Sequence, residues 1–268
     1  MAAFDPLDRE FYDRGFYEHE LDEEKRLYDL TNPVCRYYHI SRKERIEEVC
    51  RGLLSARVGP RVAADIGCGT GCYLPALASV ASQVVGVEIA RSKARVARRR
   101  MAASNAEMIV GSATRLPIAT SRCHVVLCSE VIEHFTDPDA VLTELLRITA
   151  HGGCVVLSTP VRYDPATWLR GIVGRRNRFS LRRQKPDEHG HYWYFAPSDL
   201  EQKLMKLRAE VISFTVVPRI HFRGLPRLLR HGVVSPELLL ALGRRLSPRG
   251  ALGDLGAFGI FVARKLGD

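Results

Sequence analysis

The stretch Arg61-Val-Ala-Ala-Asp-Ile-Gly-Cys-Gly-Thr-Gly71 decides the fold. Its apolar run ends in an acid and then in three glycines at alternate positions, which predicts a buried strand opening into a ligand-binding turn. Gly67, Gly69 and Gly71 lack a Cβ, so the backbone can turn tightly and let a ligand lie against the main chain. A helix expected from about Cys72 to Ala81 would aim its free N–H groups at the same place. The spacing G-x-G-x-G differs from the G-x-G-x-x-G of dinucleotide sites. Asp65 stands just before the glycines, where a carboxylate repels a pyrophosphate and suits a cationic ligand with an ammonium group. A second apolar strand, Gln83 to Ile89, carries Glu88 near its end, placed to accept hydrogen bonds from a ribose diol. Two acids and three glycines thus specify a nucleoside with positive charge and no phosphate.

Asp65-Ile-Gly-Cys-Gly-Thr-Gly71, Val85-Gly-Val-Glu88 and Cys128-Ser-Glu-Val-Ile-Glu-His134 together resemble the successive motifs of class I S-adenosylmethionine-dependent methyltransferases, in the branch that includes ubiquinone-biosynthesis-type O-methyltransferases. The resemblance covers about Arg61 to Pro160. It implies an α/β fold: a Rossmann-like, doubly wound, seven-stranded sheet, mostly parallel with an antiparallel last strand. It also implies S-adenosyl-L-methionine as cofactor, with Asp65, Gly67, Cys68, Gly69, Gly71, Glu88, Ile89, Ser112, Ala113 and Ser129 as its contacts. An acid is usual where Ser112 stands, and a serine there can still meet the adenine amino group. Relatives carry an aromatic pair and an arginine before the glycine motif, which implies that Tyr38 walls the methionine end and Arg42 pairs with the cofactor carboxylate.

The 268 residues, 46% hydrophobic, are enough for one large domain with elaborations. Residues 1–56 read as an N-terminal helical lid. Residues 57–268 read as the methyltransferase domain, with insertions at about 161–190 and 218–256. Met1 to Glu24 is acidic and aromatic, not a basic start followed by an apolar segment, and a cytoplasmic protein is expected. Seven scattered cysteines form neither a disulfide framework nor a paired C-x-x-C zinc site, and at Cys68 and Cys72 small size is sufficient explanation. No metal is assigned in this reading. The formal charge of +10 exceeds what a small neutral substrate requires and suggests an acidic partner, unless it reflects arginine-rich genome composition.

Along the chain, Ser41 and Glu44 suggest a capping box for a helix over Ile40 to Leu54, and Ser198 and Glu201 another for a helix after Pro197. Asp137-Pro138 predicts a cap and first-turn proline for a helix to Ile148. Ala90 to Ala103 reads as a helix with a solvated basic face. Strands are expected at Glu107 to about Ala113, His124 to Ser129, Cys154 to Ser158, Glu210 to Val217 and Phe258 to Ala263. Arginines mixed with aromatics over Val161 to Pro186 suit an acceptor lid, an RNA groove or an interfacial patch.

Methyl transfer is an in-line displacement, so the enzyme supplies alignment and a deprotonated acceptor. A hydroxyl acceptor calls for a base near neutrality, which points to His134, with His189 and His191 behind it. The expected partner is a small-molecule acceptor, acidic or amphipathic, methylated on oxygen. Three alternatives stay open. Glu130, Glu133, His134 and a downstream histidine such as His189 resemble the metal set of small-RNA 3′-terminal 2′-O-methyltransferases. Arginines beside leucines in residues 218–256 suit peripheral contact with an acidic membrane. A binding module without catalysis would keep the fold alone. Oligomeric state is not legible.

Overall fold

The computed structural model describes residues 39–102, 104–161, 181–182, 185–186, 190–218, 228, 231–235, 238 and 256–267. The expected lid therefore lies largely outside the described residues, as do most of both insertions, Tyr38 and His189. In chain order the elements are α1 Ser41–Ser55, β1 Val62–Ile66, α2 Leu74–Ala78, β2 Gln83–Glu88, α3 Arg91–Arg100, β3 Ala106–Val110 and β4 Cys123–Ser129. A 3-10 turn, Ile132–His134, leads to α4 Pro138–Ile148 and β5 Thr149–Pro160. Then come β6 Leu181–Arg182, β7 Trp193–Tyr194, α5 Pro197–Lys206, β8 Ala209–Pro218 and β9 Gly256–Lys265.

Seven strands form one sheet in the order β3-β2-β1-β4-β5-β9-β8, while β6 and β7 pair separately. The first five run parallel, and β9 is antiparallel to both β5 and β8. This is the mostly parallel sheet with an antiparallel last strand that the motifs implied. The chain steps outward one way from β1 through β2 to β3, then returns beside β1 with β4. The topological switch therefore falls between β1 and β4, and a crevice opens beyond their C-terminal ends.

Parallel strands buried on both faces read as unbroken apolar runs, and every residue of β1 is buried. Side chains still alternate between faces. Ala64 and Ile66 of β1 with Val126 and Cys128 of β4 pack under α4 and α5 through Leu142, Leu145, Leu200 and Leu204. Ala63, Val125 and Leu127 face the other way, against Ile46, Cys50 and Leu54 of α1, Leu74 and Leu77 of α2, and Ala97 of α3. Two layers of helices thus sandwich the sheet and hold its strand ends in fixed register.

Asp137 caps α4 as expected, accepting from the N–H groups of Asp139 (3.1 Å) and Ala140 (3.4 Å), with Pro138 in the first turn. Neither serine is the N-cap residue of its helix. Ile40 already has helical angles (φ −71°, ψ −41°), so Ser41 lies inside α1. At α5 the extended Ala196 is the cap residue and Pro197 takes the first position, where a missing N–H costs no hydrogen bond, leaving Ser198 within the helix. The helix after the glycine turn is shorter than expected, and β5 begins at Thr149, ahead of the expected Cys154.

Candidate active site

At the switch point Gly67, Gly69 and Gly71 all have positive φ (71°, 55° and 84°), a conformation that disfavours any side chain. A Cβ at Gly67 would also lie 2.4 Å from Val131 Cγ2, so the turn packs directly on the segment that follows β4. The N–H groups of Gly67 and Cys68 both donate to the Val87 carbonyl (2.8 and 3.1 Å), tying the turn to β2.

Asp65 is 1% exposed, and its Oδ2 has no hydrogen-bond partner. Burial, reinforced by the nearby Glu88, pushes its carboxyl up to about 8. An orphaned buried carboxylate is costly unless a ligand completes it. Glu88 is buried too, and desolvation raises its carboxyl. Its Oε2 accepts from Gly69 N–H (2.9 Å) and its Oε1 from Ala90 N–H (2.8 Å). Glu88 therefore pins the glycine turn, with lone pairs left over for a diol. The residues fit a cationic nucleoside: an unsatisfied acid at one end, a second acid beside it, and a backbone cradle with no room for side chains.

Ser129, at the end of β4, shares a hydrogen bond with the Tyr73 hydroxyl across 3.3 Å. Tyr73, an aromatic just past the third glycine that sequence reasoning did not single out, thus lies beside the end of β4. Ile89 is half-buried beyond Glu88. Cys68 is buried, and burial raises its thiol, which suits a small packing residue. Ser112 and Ala113 are buried in the loop after β3, where the Ser112 hydroxyl meets Thr114 Oγ1 (2.9 Å).

Arg42 was expected at the cofactor carboxylate. In the structure it is 6% exposed, pairs with Glu130 Oε2 at 3.2 Å and lies 4.5 Å over the Phe258 ring. Glu130 itself has a positive φ of 56°, and its other oxygen accepts from Ser158 Oγ at 2.6 Å. Burial raises its carboxyl while Arg42 and Ser158 oppose the rise. Three elements are thus joined: α1, the segment after β4, and β5.

Three residues later the chain turns inward again. Glu133 is 0% exposed; its Oε2 accepts from Thr159 Oγ1 (3.0 Å) and its Oε1 has no partner. Burial first, and then Glu130, hold its carboxyl well above the ordinary range. His134 and His191 meet edge to face with centroids 4.9 Å apart. Ligating atoms of Glu133, His134 and His191 all lie within 4.8 Å of one another. A carbonyl can only accept, so the 3.2 Å contact from His134 Nδ1 to Gly190 O places a proton on Nδ1. The Tyr192 N–H donates to the Glu133 carbonyl (2.8 Å), which docks the 190–195 segment here. Sequence reasoning grouped both glutamates with His134 and a downstream histidine such as His189, which lies outside the described residues; the structure brings Glu133 together with His134 and His191, and pairs Glu130 with Arg42.

Residues 64–157 match the protein family described as "Methyltransferase domain". The ubiquinone biosynthesis O-methyltransferase of Nitrosomonas europaea is 29% identical over 158 residues, 58% of this chain and 64% of that protein. The enzyme of the same name from Idiomarina loihiensis is 30% identical over 139 residues, 51% of this chain and 56% of its own length. Both matches span less than two thirds of the curated relative. Among solved structures, magnesium protoporphyrin IX methyltransferase from Synechocystis PCC 6803 with bound SAH superposes with a TM-score of 0.62 at 16% identity, over 97% of this chain and 98% of that one. Profile match and sheet topology agree: residues 64–157 match a methyltransferase domain and are built on the sheet order that the motifs implied.

Proposed function

We propose that this protein transfers a methyl group from S-adenosylmethionine to an oxygen of a small, anionic or amphipathic acceptor. The observation that carries the reading is the pairing of an unsatisfied buried acid, Asp65, with a histidine-carboxylate cluster one strand away, at the end of β4. When bound, the cofactor supplies an electrophilic methyl on a sulfonium. Asp65 receives its ammonium, Glu88 accepts from the ribose hydroxyls, and the turn at Gly67 to Gly71 carries the nucleoside against the backbone. Ser129 and Tyr73 border the path between cofactor and acceptor.

The acceptor hydroxyl loses its proton to His134 Nε2, whose tautomer is set by the Gly190 carbonyl. The His191 ring stacks at its edge and Glu133 lies beneath. Positioned general bases contribute about 10²–10⁴-fold. Incubating the full chain with methyl-labelled cofactor and a panel of small catechols and phenolic acids tests the reading. Label in an ether product, lost with His134→Ala while S-adenosylhomocysteine still binds, supports it. A transfer rate indifferent to His134 would overturn the assignment of the base. A small-molecule acceptor accords with the names of the relatives, and an anionic one with the formal charge of +10. A cytoplasmic location belongs to the same proposal; among the described residues no helix is long and apolar enough to cross a membrane.

A second reading is favoured by the same cluster. Glu133, His134 and His191 offer one carboxylate and two imidazoles within ligand reach, a donor set for a divalent ion. Such an ion would acidify and orient a vicinal diol. Activity abolished by exhaustive chelation and restored by one divalent ion, with matching metal stoichiometry in the wild type and none in His191→Ala, supports this version. Full turnover after chelation excludes it.

A further inference from the structure

One carboxylate and one guanidinium on α4 hold the loop that joins β3 to β4. The Leu116 N–H donates to Glu144 Oε2 at 2.6 Å. Arg147 lies three residues on, on the same helix face, and grips that carboxylate from Nε to Oε1 (2.6 Å) and from Nη2 to Oε2 (2.9 Å). The same guanidinium donates from Nη2 to the Leu116 carbonyl (3.0 Å), and from Nη1 to the Ile118 carbonyl (2.9 Å) and the Thr120 hydroxyl (3.2 Å). The Arg147 carbonyl accepts from the Ser121 N–H (2.8 Å). Leu116 and Ile118 are buried in one core with Leu142 and Leu145 of α4, which completes the anchor. Hydrogen bonding from Arg147, above all, holds the Glu144 carboxyl below its ordinary range.

The anchored strap packs back on the start of the same loop. Pro117, between the two held carbonyls, lies against Gly111, where a Cβ would sit 3.4 Å from Pro117 Cδ and 3.3 Å from Val87 Cγ1. The Gly111 N–H donates to the Glu88 carbonyl (3.1 Å). Beyond Gly111 the chain turns on itself, with the Arg115 N–H donating to the Ser112 carbonyl (3.2 Å) and the Thr114 N–H to the Ser112 hydroxyl (3.3 Å). Ser112 and Ala113 are therefore set between two fixed supports. On one side is β2, which ends in Glu88; on the other is the strap that α4 holds.

We propose that Glu144 and Arg147 are positioning residues for the base of the nucleoside, acting through the strap Leu116 to Thr120 on Ser112 and Ala113. The inference rests on the cofactor reading above. With the ribose on Glu88 at the end of β2, the base is directed to the next strand out, β3, and to the loop that follows it. Neither α4 residue touches the ligand in this account. Their part is to keep the rim beside the base in one place, so that a hydroxyl and a backbone edge meet it without rearrangement. A planar guanidinium can hold a carboxylate and two carbonyls at once, whereas a lysine ammonium is a single point charge. The pair is thus specific in geometry as well as in charge.

The test is calorimetric titration of the full chain with S-adenosylhomocysteine and with S-inosylhomocysteine, in which an oxygen replaces the amino group of the base. The wild type is expected to prefer the adenine form. Arg147→Gln is expected to weaken S-adenosylhomocysteine about tenfold and to narrow that preference, while proton release from Asp65 on binding persists. Arg147→Lys, which can keep Glu144 but not both carbonyls, is expected to fall between the two. Glu144→Gln retains an acceptor for Leu116 and is a milder variant should Arg147→Gln fold poorly; it is expected to narrow the preference in the same direction. Asp137→Ala weakens α4 from its other end and is expected to change neither affinity nor preference, which separates loss of the strap from loss of the helix. A base preference left unchanged by both Arg147→Gln and Glu144→Gln, a wild type indifferent to the base, or an equal loss in Asp137→Ala overturns the positioning role and leaves the cofactor reading standing. A wild type that does not bind S-adenosylhomocysteine overturns both.

Discussion

Replacing Asp65 by asparagine isolates the charge on which cofactor recognition depends. In the ligand-free protein burial and Glu88 push the carboxyl up to about 8, so near neutrality Asp65 is mostly protonated. An ammonium group is held well only by the ionised form, and binding must therefore expel that proton. Linkage then requires affinity to fall as the pH drops below about 8, by about tenfold or ~1.4 kcal/mol for each pH unit. The probe is S-adenosylhomocysteine, which keeps the ammonium. Calorimetry in buffers of different ionisation enthalpy should count close to one proton released per ligand near neutrality. Asp65→Asn should abolish that release, flatten the pH dependence and weaken binding, whereas Glu88→Gln should weaken binding and retain the release. The stability consequence has the opposite sign. A carboxyl whose folded value exceeds its unfolded one costs nothing below the unfolded value, destabilises increasingly as pH rises toward the folded value, and is level above it. The limit is about 6 kcal/mol at full ionisation, taking 3.8 to about 8. Ligand-free Asp65→Asn should thus gain on the wild type in urea melts as pH rises through this window. Wild-type affinity that is flat over the same range, or proton release that survives in Asp65→Asn, would refute the reasoning.

The other consequences concern the frame around the site. Arg42→Ala leaves the half-buried Glu130 without this cation, and a loss of about 2–3 kcal/mol, below that of a fully buried pair, is expected in chemical denaturation, smaller in Arg42→Lys. Gly67→Ala places a methyl 2.4 Å from Val131 Cγ2 at a φ of 71°. Cofactor binding should collapse, and the double variant with Val131→Ala should recover only the steric part. Asp137→Ala removes the α4 cap at about 1 kcal/mol and should leave Kd for S-adenosylhomocysteine unchanged.

The half of the site made by local sequence was legible and the half made by long-range contact was not. Asp65, the three glycines and Glu88 lie at the ends of strands whose apolar runs betray them, because parallel strands buried on both faces cannot alternate with polar residues. The order of β1, β2 and β4 then follows from connections that cannot cross. By contrast, Arg42 and Glu130 are 88 positions apart in number and meet only once α1 packs under the sheet. The grouping of His191 with Glu133 depends on the Tyr192 amide docking on the Glu133 carbonyl, a contact without local signature. Ser41 and Ser198 fall inside their helices, not at the N-cap position, for a related reason. The S-x-x-E pattern reports a local preference, and it yielded to an incoming chain already helical at Ile40 and to Pro197 at the first position of α5.

The most direct measurement of the central claim is a crystal structure of the protein grown with S-adenosylhomocysteine. The account predicts density beyond the ends of β1 and β2, with the ammonium beside Asp65, the ribose diol on Glu88 and the sulfur directed toward His134. Density for the ligand away from both acids, or a cleft that instead selects a pyrophosphate-bearing nucleotide, would contradict it.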